Sequence, residues 1–178
     1  MSPTGAALLS VPTLQKHMAV YTRRARVAAP LDDVWEFHSR VDGLEALTPS
    51  WMHLRVEAVR GPGGEPDPDV LETGSQIRLS MRPFGVGPRQ RWVSRIVDRE
   101  VGDSTASFRD DMQGGPFPTW VHTHSFYADG PETVVEDRVE YELPGGPLGR
   151  AVGPLAVVGF EPMFRYRHRK TREILEGR

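Results

Sequence analysis

The run from Pro118 to Tyr127 constrains this chain more than any other stretch. Its residues alternate with period two, Trp120, His122, His124 and Phe126 on one side and Val121, Thr123, Ser125 and Tyr127 on the other. A β-strand sends successive side chains to opposite faces, so the pattern reads as a half-buried strand. The bulky set is expected inward, because small and β-branched polar residues suit the solvent side. The turn Gly114-Gly115-Pro116 opens this strand. Two histidines beside two large aromatics on a buried face are unusual for plain core packing, and they are the strongest pointer to function in the sequence.

A second alternation, from Thr133 to Leu143, is cleaner still. Val135, Asp137, Val139, Tyr141 and Leu143 oppose Val134, Glu136, Arg138, Glu140 and Glu142, which leaves Asp137 as the one charge on an apolar face. The short connection Ala128–Glu132 is typical of a hairpin. A turn centred near Gly130 sets His124 opposite Asp137, His122 opposite Val139 and Trp120 opposite Tyr141, whereas a shift of two residues would give Asp137 to His122. A buried carboxylate is costly alone and stabilises an imidazolium beside it, so the histidine paired with Asp137 is expected to have a raised pKa.

The remaining strands are expected at Ala19–Ala28, Leu54–Val59, Gln76–Met81, Gln90–Val97 and Thr105–Asp110. The first mixes β-formers with arginines, as an edge strand does. Between the first two, Pro30 and the pair Asp32/Asp33 signal a helix start. Leu31, Val34, Trp35 and His38 then form one stripe, with no role assigned to His38; Gly43 ends or kinks the helix, and a short second one carries Leu44 and Leu47. Pro147 to Glu176 reads as one long helix interrupted at Pro154 and Pro162, with Leu148, Val152, Leu155, Gly159, Met163, Tyr166, Lys170 and Ile174 along one side.

Residues 1–17 show no clear period and are expected to be a disordered leader or an upstream start, with a single domain at 18–178. The 22 basic and 24 acidic side chains nearly cancel. The basic run Arg165–Arg172 therefore reads as a solvated helix end, and no nucleic-acid partner is expected. Without cysteine there are no disulfides or thiolate sites. No apolar run reaches the ~18 residues of a membrane span, and cytoplasmic is the default location.

Strand, two short helices, six strands and a long final helix is an α+β order, in which a mostly antiparallel sheet buries its apolar face by curving around the last helix. Ala29-Pro-Leu-Asp-Asp-Val-Trp-Glu-Phe37 and Phe108-Arg-Asp-Asp-Met-Gln-Gly-Gly-Pro-Phe117, running into Trp120–Phe126, resemble the START/Bet v 1-like superfamily of polyketide cyclase/dehydrase and lipid-transport proteins. Leu143–Gly149 and Met163–Arg169 continue the likeness to a bacterial and archaeal single-domain subgroup. The resemblance implies a helix-grip fold with a cavity between sheet and final helix.

The residues expected at that cavity are Trp92, Asp110, Gln113, Trp120, His122, His124, Phe126, Asp137, Tyr141 and Phe164. Apolar walls with a few convergent polar groups are the usual form of a small-molecule site. The plain alternative is a core of aromatics with internally satisfied histidines. Binding of a small hydrophobic or aromatic ligand is the favoured function. A cofactor-free cyclase or dehydratase using His122, His124 and Asp137 for proton transfer is the alternative, and a protein-interaction domain a third. His122, His124 and Asp137 have metal-ligand chemistry, but no third histidine or clustered acid completes an obvious set, so neither metal nor cofactor is expected. Oligomeric state is left open.

Overall fold

The computed structural model describes residues 18–176, so the expected leader at 1–17 lies outside the described residues. The chain runs β1 (Ala19–Val27), α1 (Leu31–His38), α2 (Val41–Ala46), β2 (Arg55–Arg60), β3 (Gln76–Met81), β4 (Gln90–Val101), β5 (Thr105–Gly114), β6 (Thr119–Asp129), β7 (Glu132–Glu142), α3 (Gly146–Val152) and α4 (Val157–Leu175). Its seven strands form one antiparallel sheet in the order β1-β7-β6-β5-β4-β3-β2. The chain thus passes from one sheet edge to the other through α1 and α2, then returns strand by strand. This is the α+β helix-grip arrangement expected from the sequence.

β1 is an edge strand, as its arginines indicate, and Arg24 and Arg26 pair outward with Glu136 and Asp129. Register shifts at Val56/Ala58 in β2 and Ile96/Asp98 in β4 bend the strands they interrupt. β5 and β6 turn through Gly114 and Gly115, both in the left-handed region at φ 74° and 85°. β6 and β7 join through Gly130-Pro131 alone, and the register sets His124 opposite Asp137, His122 opposite Val139 and Trp120 opposite Tyr141. The alternation together with a turn centred near Gly130 gave that register, and the two-residue shift that would set Asp137 opposite His122 does not occur.

The helices depart from expectation in two places. The break between α1 and α2 falls at Ser39-Arg40 rather than at Gly43, which lies within α2. A Cβ at Gly43 would sit 2.1 Å from the Phe37 carbonyl oxygen, so glycine lets α2 pack this tightly against the end of α1. In the C-terminal region a 3-10 turn at Gly153–Ala156 separates α3 from α4. Such a turn advances by three residues rather than 3.6 and rephases the helix, so no single stripe crosses it. Leu148 and Leu155 are accordingly 72% and 71% exposed, while α4 buries Phe164, His168, Thr171 and Leu175. Nor does Pro162 break α4, which runs unbroken to Leu175. The carbonyl that Pro162 cannot serve belongs to the exposed Val158, where it is not cut off from solvent.

Packing divides the sheet. Over β1, β7 and β6, α4 and α1 close two clusters, one of Tyr21, Val139, Tyr141 and Phe164 and one of Val27, Val34, Phe126, Val135 and Leu175. Full burial of each large apolar side chain there stabilises by ~1.5–3 kcal/mol. Over β2, β3 and β4 the apolar layer is Val59, Ile77, Leu79 and Ile96, partnered by Leu44 of α2 and by Trp92.

Candidate functional site

Strand pairing gathers the titratable groups. Asp110 on β5 lies directly across from His122 on β6, and Asp137 on β7 across from His124. Cross-strand neighbours on one face are ~5 Å apart, so four ionisable side chains share one patch. Asp137 is at its centre, its side chain 3% exposed. Its Oδ1 accepts from His122 Nε2 at 2.7 Å and lies 3.0 Å from His124 Nδ1. Its Oδ2 accepts from Nε2 of His168, on α4, at 2.6 Å. Asp110 accepts from Ser94 Oγ at 2.9 Å and lies 3.4 Å from His124 Nε2.

Burial raises the Asp137 carboxyl, but hydrogen bonds from His122, His124 and His168 outweigh it and hold the group well below the usual carboxylate range. Asp110 is lowered in the same way, against its burial, chiefly by His124. The two central histidines diverge. Burial lowers both, yet His124 lies between Asp110 and Asp137, whose hydrogen bonds carry its pKa above the ordinary value. His122 is pushed down to about 4 by burial and then by the neighbouring His124 charge, despite its bond to Asp137. The expected rise thus falls on His124 only. His38 donates from Nδ1 to the Val34 carbonyl at 2.8 Å, and burial lowers it to about 3.

A cavity of about 400 Å³ lies between the inward faces of β3, β4, β5 and β6, α2 and α4. Trp92, Asp110, Trp120, His122, His124 and Phe164 line it. The other four expected residues do not. Gln113 faces outward opposite Val93, because β5 continues past Asp110 and its inward positions are Asp110 and Met112. Phe126 and Tyr141 are on the inward face but lie under the packed helices, Phe126 against Trp35 and His38. The Tyr141 hydroxyl donates to the Gly153 carbonyl at 2.8 Å. Asp137 stands behind the histidines.

Sequence reasoning missed Arg40 and Arg167, which also reach the cavity. Each has a buried Nε with no hydrogen-bond partner among the described residues. It also missed His168, hidden inside a basic run whose charged neighbours gave the helix a solvated look. The i, i+4, i+7, i+11 spacing of Phe164, His168, Thr171 and Leu175 was the available signal.

Among the described residues no helix is long and apolar enough to cross a membrane. No curated protein matches the chain significantly in sequence. Among solved structures it is similar to norcoclaurine synthase from Thalictrum flavum in complex with dopamine and hydroxybenzaldehyde, at 18% identity over 98% of this chain and 99% of that one, TM-score 0.61. It is similar as well to the Zhui aromatase/cyclase from Streptomyces sp. R1128, at 18% identity over 90% and 94%, TM-score 0.60. A START superfamily protein from Mycobacterium smegmatis matches at 16% identity over 87% and 98%, TM-score 0.58. At these identities the likeness is one of fold. Residues 27–163, from the last residue of β1 into α4, match the family described as polyketide cyclase / dehydrase and lipid transport, and the chain belongs to that family.

Proposed function

We propose that this protein binds a small aromatic molecule carrying one acidic group. The observation behind this reading is the cavity, with aromatic and aliphatic walls and its polar side chains confined to a few positions. Its volume of about 400 Å³ suits a ligand of two or three fused rings. Arg40 and Arg167 line it without an ion-pair partner within 4.0 Å among the described residues. A partly desolvated guanidinium favours a carboxylate or phenolate, to which it donates in a planar fork. Norcoclaurine synthase, which shares the fold, has been crystallised with two aromatic molecules.

Trp51, Trp92 and Trp120 all line the cavity, so binding is readable in tryptophan fluorescence. Titration with naphthoate and with uncharged naphthamide tests the reading. Saturable quenching, with naphthoate at least ~10-fold tighter and the preference reduced in Arg167→Gln, is the expected result. Equal affinities, or no saturable change with either compound, would contradict it.

One observation favours a second reading, proton transfer of the cyclase/dehydratase type. His122 and His124, with ring centroids 3.7 Å apart, are pushed in opposite directions by their surroundings. Neighbouring groups with separated pKa values can act as base and acid on one substrate. A turnover assay on any bound compound decides between carrier and enzyme, since a carrier returns its ligand unchanged.

A further inference from the structure

We infer that Asp110, His122 and His124 form a binding site for one divalent first-row transition-metal ion, of the Zn²⁺ or Fe²⁺ kind, on the cavity wall. This goes beyond the aromatic-ligand reading and does not depend on it. Each of the three residues offers one ligand atom, and all three atoms lie within 4.8 Å of one another. Three points that close share a centre no more than about 2.8 Å from each (4.8/√3), against ~2.0–2.2 Å for nitrogen and carboxylate ligands of zinc. Closing the difference takes under about 1 Å per donor.

Asp137 supplies what such a site needs behind its ligands. An ionised carboxylate only accepts, so the His122 nitrogen facing it, Nε2, carries the proton. A neutral ring then presents its lone pair at Nδ1, on which no hydrogen bond falls among the described residues. His124 turns Nδ1 to the same Asp137 oxygen at 3.0 Å, which leaves Nε2 on the side of Asp110. One carboxylate thus fixes the tautomer and direction of two rings, the usual arrangement behind metal-ligating histidines. His168 holds the other Asp137 oxygen, and Ser94 holds Asp110 through Oδ2, leaving Oδ1 toward His124.

The sequence pointed to Asp137 as the acid of any metal set. The structure commits Asp137 to three imidazoles and brings Asp110 to the open side instead. Arg40 and Arg167 both line the cavity and oppose a cation there, and the carboxylates of Asp110 and Asp137 offset them. Two imidazoles and one carboxylate suit Zn²⁺, Co²⁺ or Fe²⁺ over Mg²⁺ or Ca²⁺, and the cavity supplies the open coordination positions.

The test uses the tag-free full chain, stripped with chelator and titrated with Co²⁺ and Zn²⁺ by calorimetry, with Co²⁺ absorption as the spectroscopic readout. The expected result is one ion per chain, visible d–d bands and a raised Tm. Asp110→Asn and His122→Gln should each weaken binding by more than the roughly 10–100-fold that loss of an orienting partner costs. The Asp110 side chain is less deeply buried than either histidine, so Asp110→Asn supplies the folded control if His122→Gln is unstable. Absence of stoichiometric uptake by the unsubstituted chain would overturn the assignment. So would equal uptake by the folded Asp110→Asn protein, because the ion would then sit elsewhere.

Discussion

The two halves of the sheet bury the same kinds of residue to different ends. Over β1 and β7, α4 rests on the strands, and Val139 and Tyr141 are fully enclosed by protein atoms. Over β2, β3 and β4, Ile77 and Leu79 are only 3% and 4% exposed, yet both line a cavity. Low exposure thus means packing in one half and enclosure of empty space in the other. The reason is topological. α4 packs on β1 and β7 and turns only one side to the cavity, and the short α2 covers the far strands. The first half is a packed core, and the second encloses the cavity.

That contrast is broken or sharpened first by truncation. Phe126→Ala removes a ring from the packed half and should cost about 3–5 kcal/mol in chemical denaturation, because its neighbours cannot fill the void. Leu79→Ala enlarges a space already there and should fall at the low end of the range for such changes, about 2 kcal/mol. Equal costs at the two sites would remove the distinction between the halves.

Asp137→Asn probes the seam between them, where β6 and β7 meet α4. Removing one member of a buried charged network costs about 3–5 kcal/mol, and here three imidazoles lose the carboxylate charge they share, with one of its two accepting oxygens replaced by a donor. In NMR titration of the ring protons the His124 pKa should fall, since its rise depends on Asp110 and Asp137. An unchanged His124 would place its charge partner elsewhere.

Acid should weaken both halves. The folded pKa values of His38 and His122 are about 3 and about 4, below the ordinary 6.5, so protonation favours the unfolded chain and stability falls as pH drops below 6.5. Asp110 and Asp137, also lowered, contribute stability that is present above 3.8 and is lost as pH falls through their folded values. His124 runs the other way. Its contribution is complete below 6.5 and is lost as pH rises through its raised folded value. Tm should therefore drop by on the order of 10 °C between pH 6.5 and 4.5, with a shallower slope in His122→Gln. An equal slope in the variant would show that His122 is not held neutral.

The smallest effect is expected at Leu155, on the exposed 3-10 turn. Leu155→Ala should change stability by less than about 0.5 kcal/mol, and a large loss would show that the turn packs against the body of the protein.

Much of this was legible in the sequence wherever a period of two ran unbroken. The alternation in β6 and β7 placed Trp120, His122 and His124 inward, because a slip of one residue would have turned every side chain over, and the turn at Gly130 put Asp137 opposite His124 rather than His122. The face of Gln113 was lost because the strand was ended at Asp110, three residues before it. Phe126 and Tyr141 were placed on the correct face, but no pattern along a strand tells which part of that face a helix will cover. His168 and Arg167 were hidden for a different reason. The 3-10 turn resets the helical phase before α4, and the flanking charges resemble a solvated surface.

The central claim is that the sheet from β3 to β6 walls a binding chamber, and that β1, β7 and the Phe126 end of β6 form a packed core. Amide and methyl chemical-shift mapping during a naphthoate titration tests it most directly. The expected shifts cluster at Leu44, Trp92, Met112, Met163 and Arg167, with Val27, Phe126 and Val135 nearly still. Shifts concentrated instead at the exposed Leu148, Leu155 and Val158, or spread evenly over both halves, would contradict it.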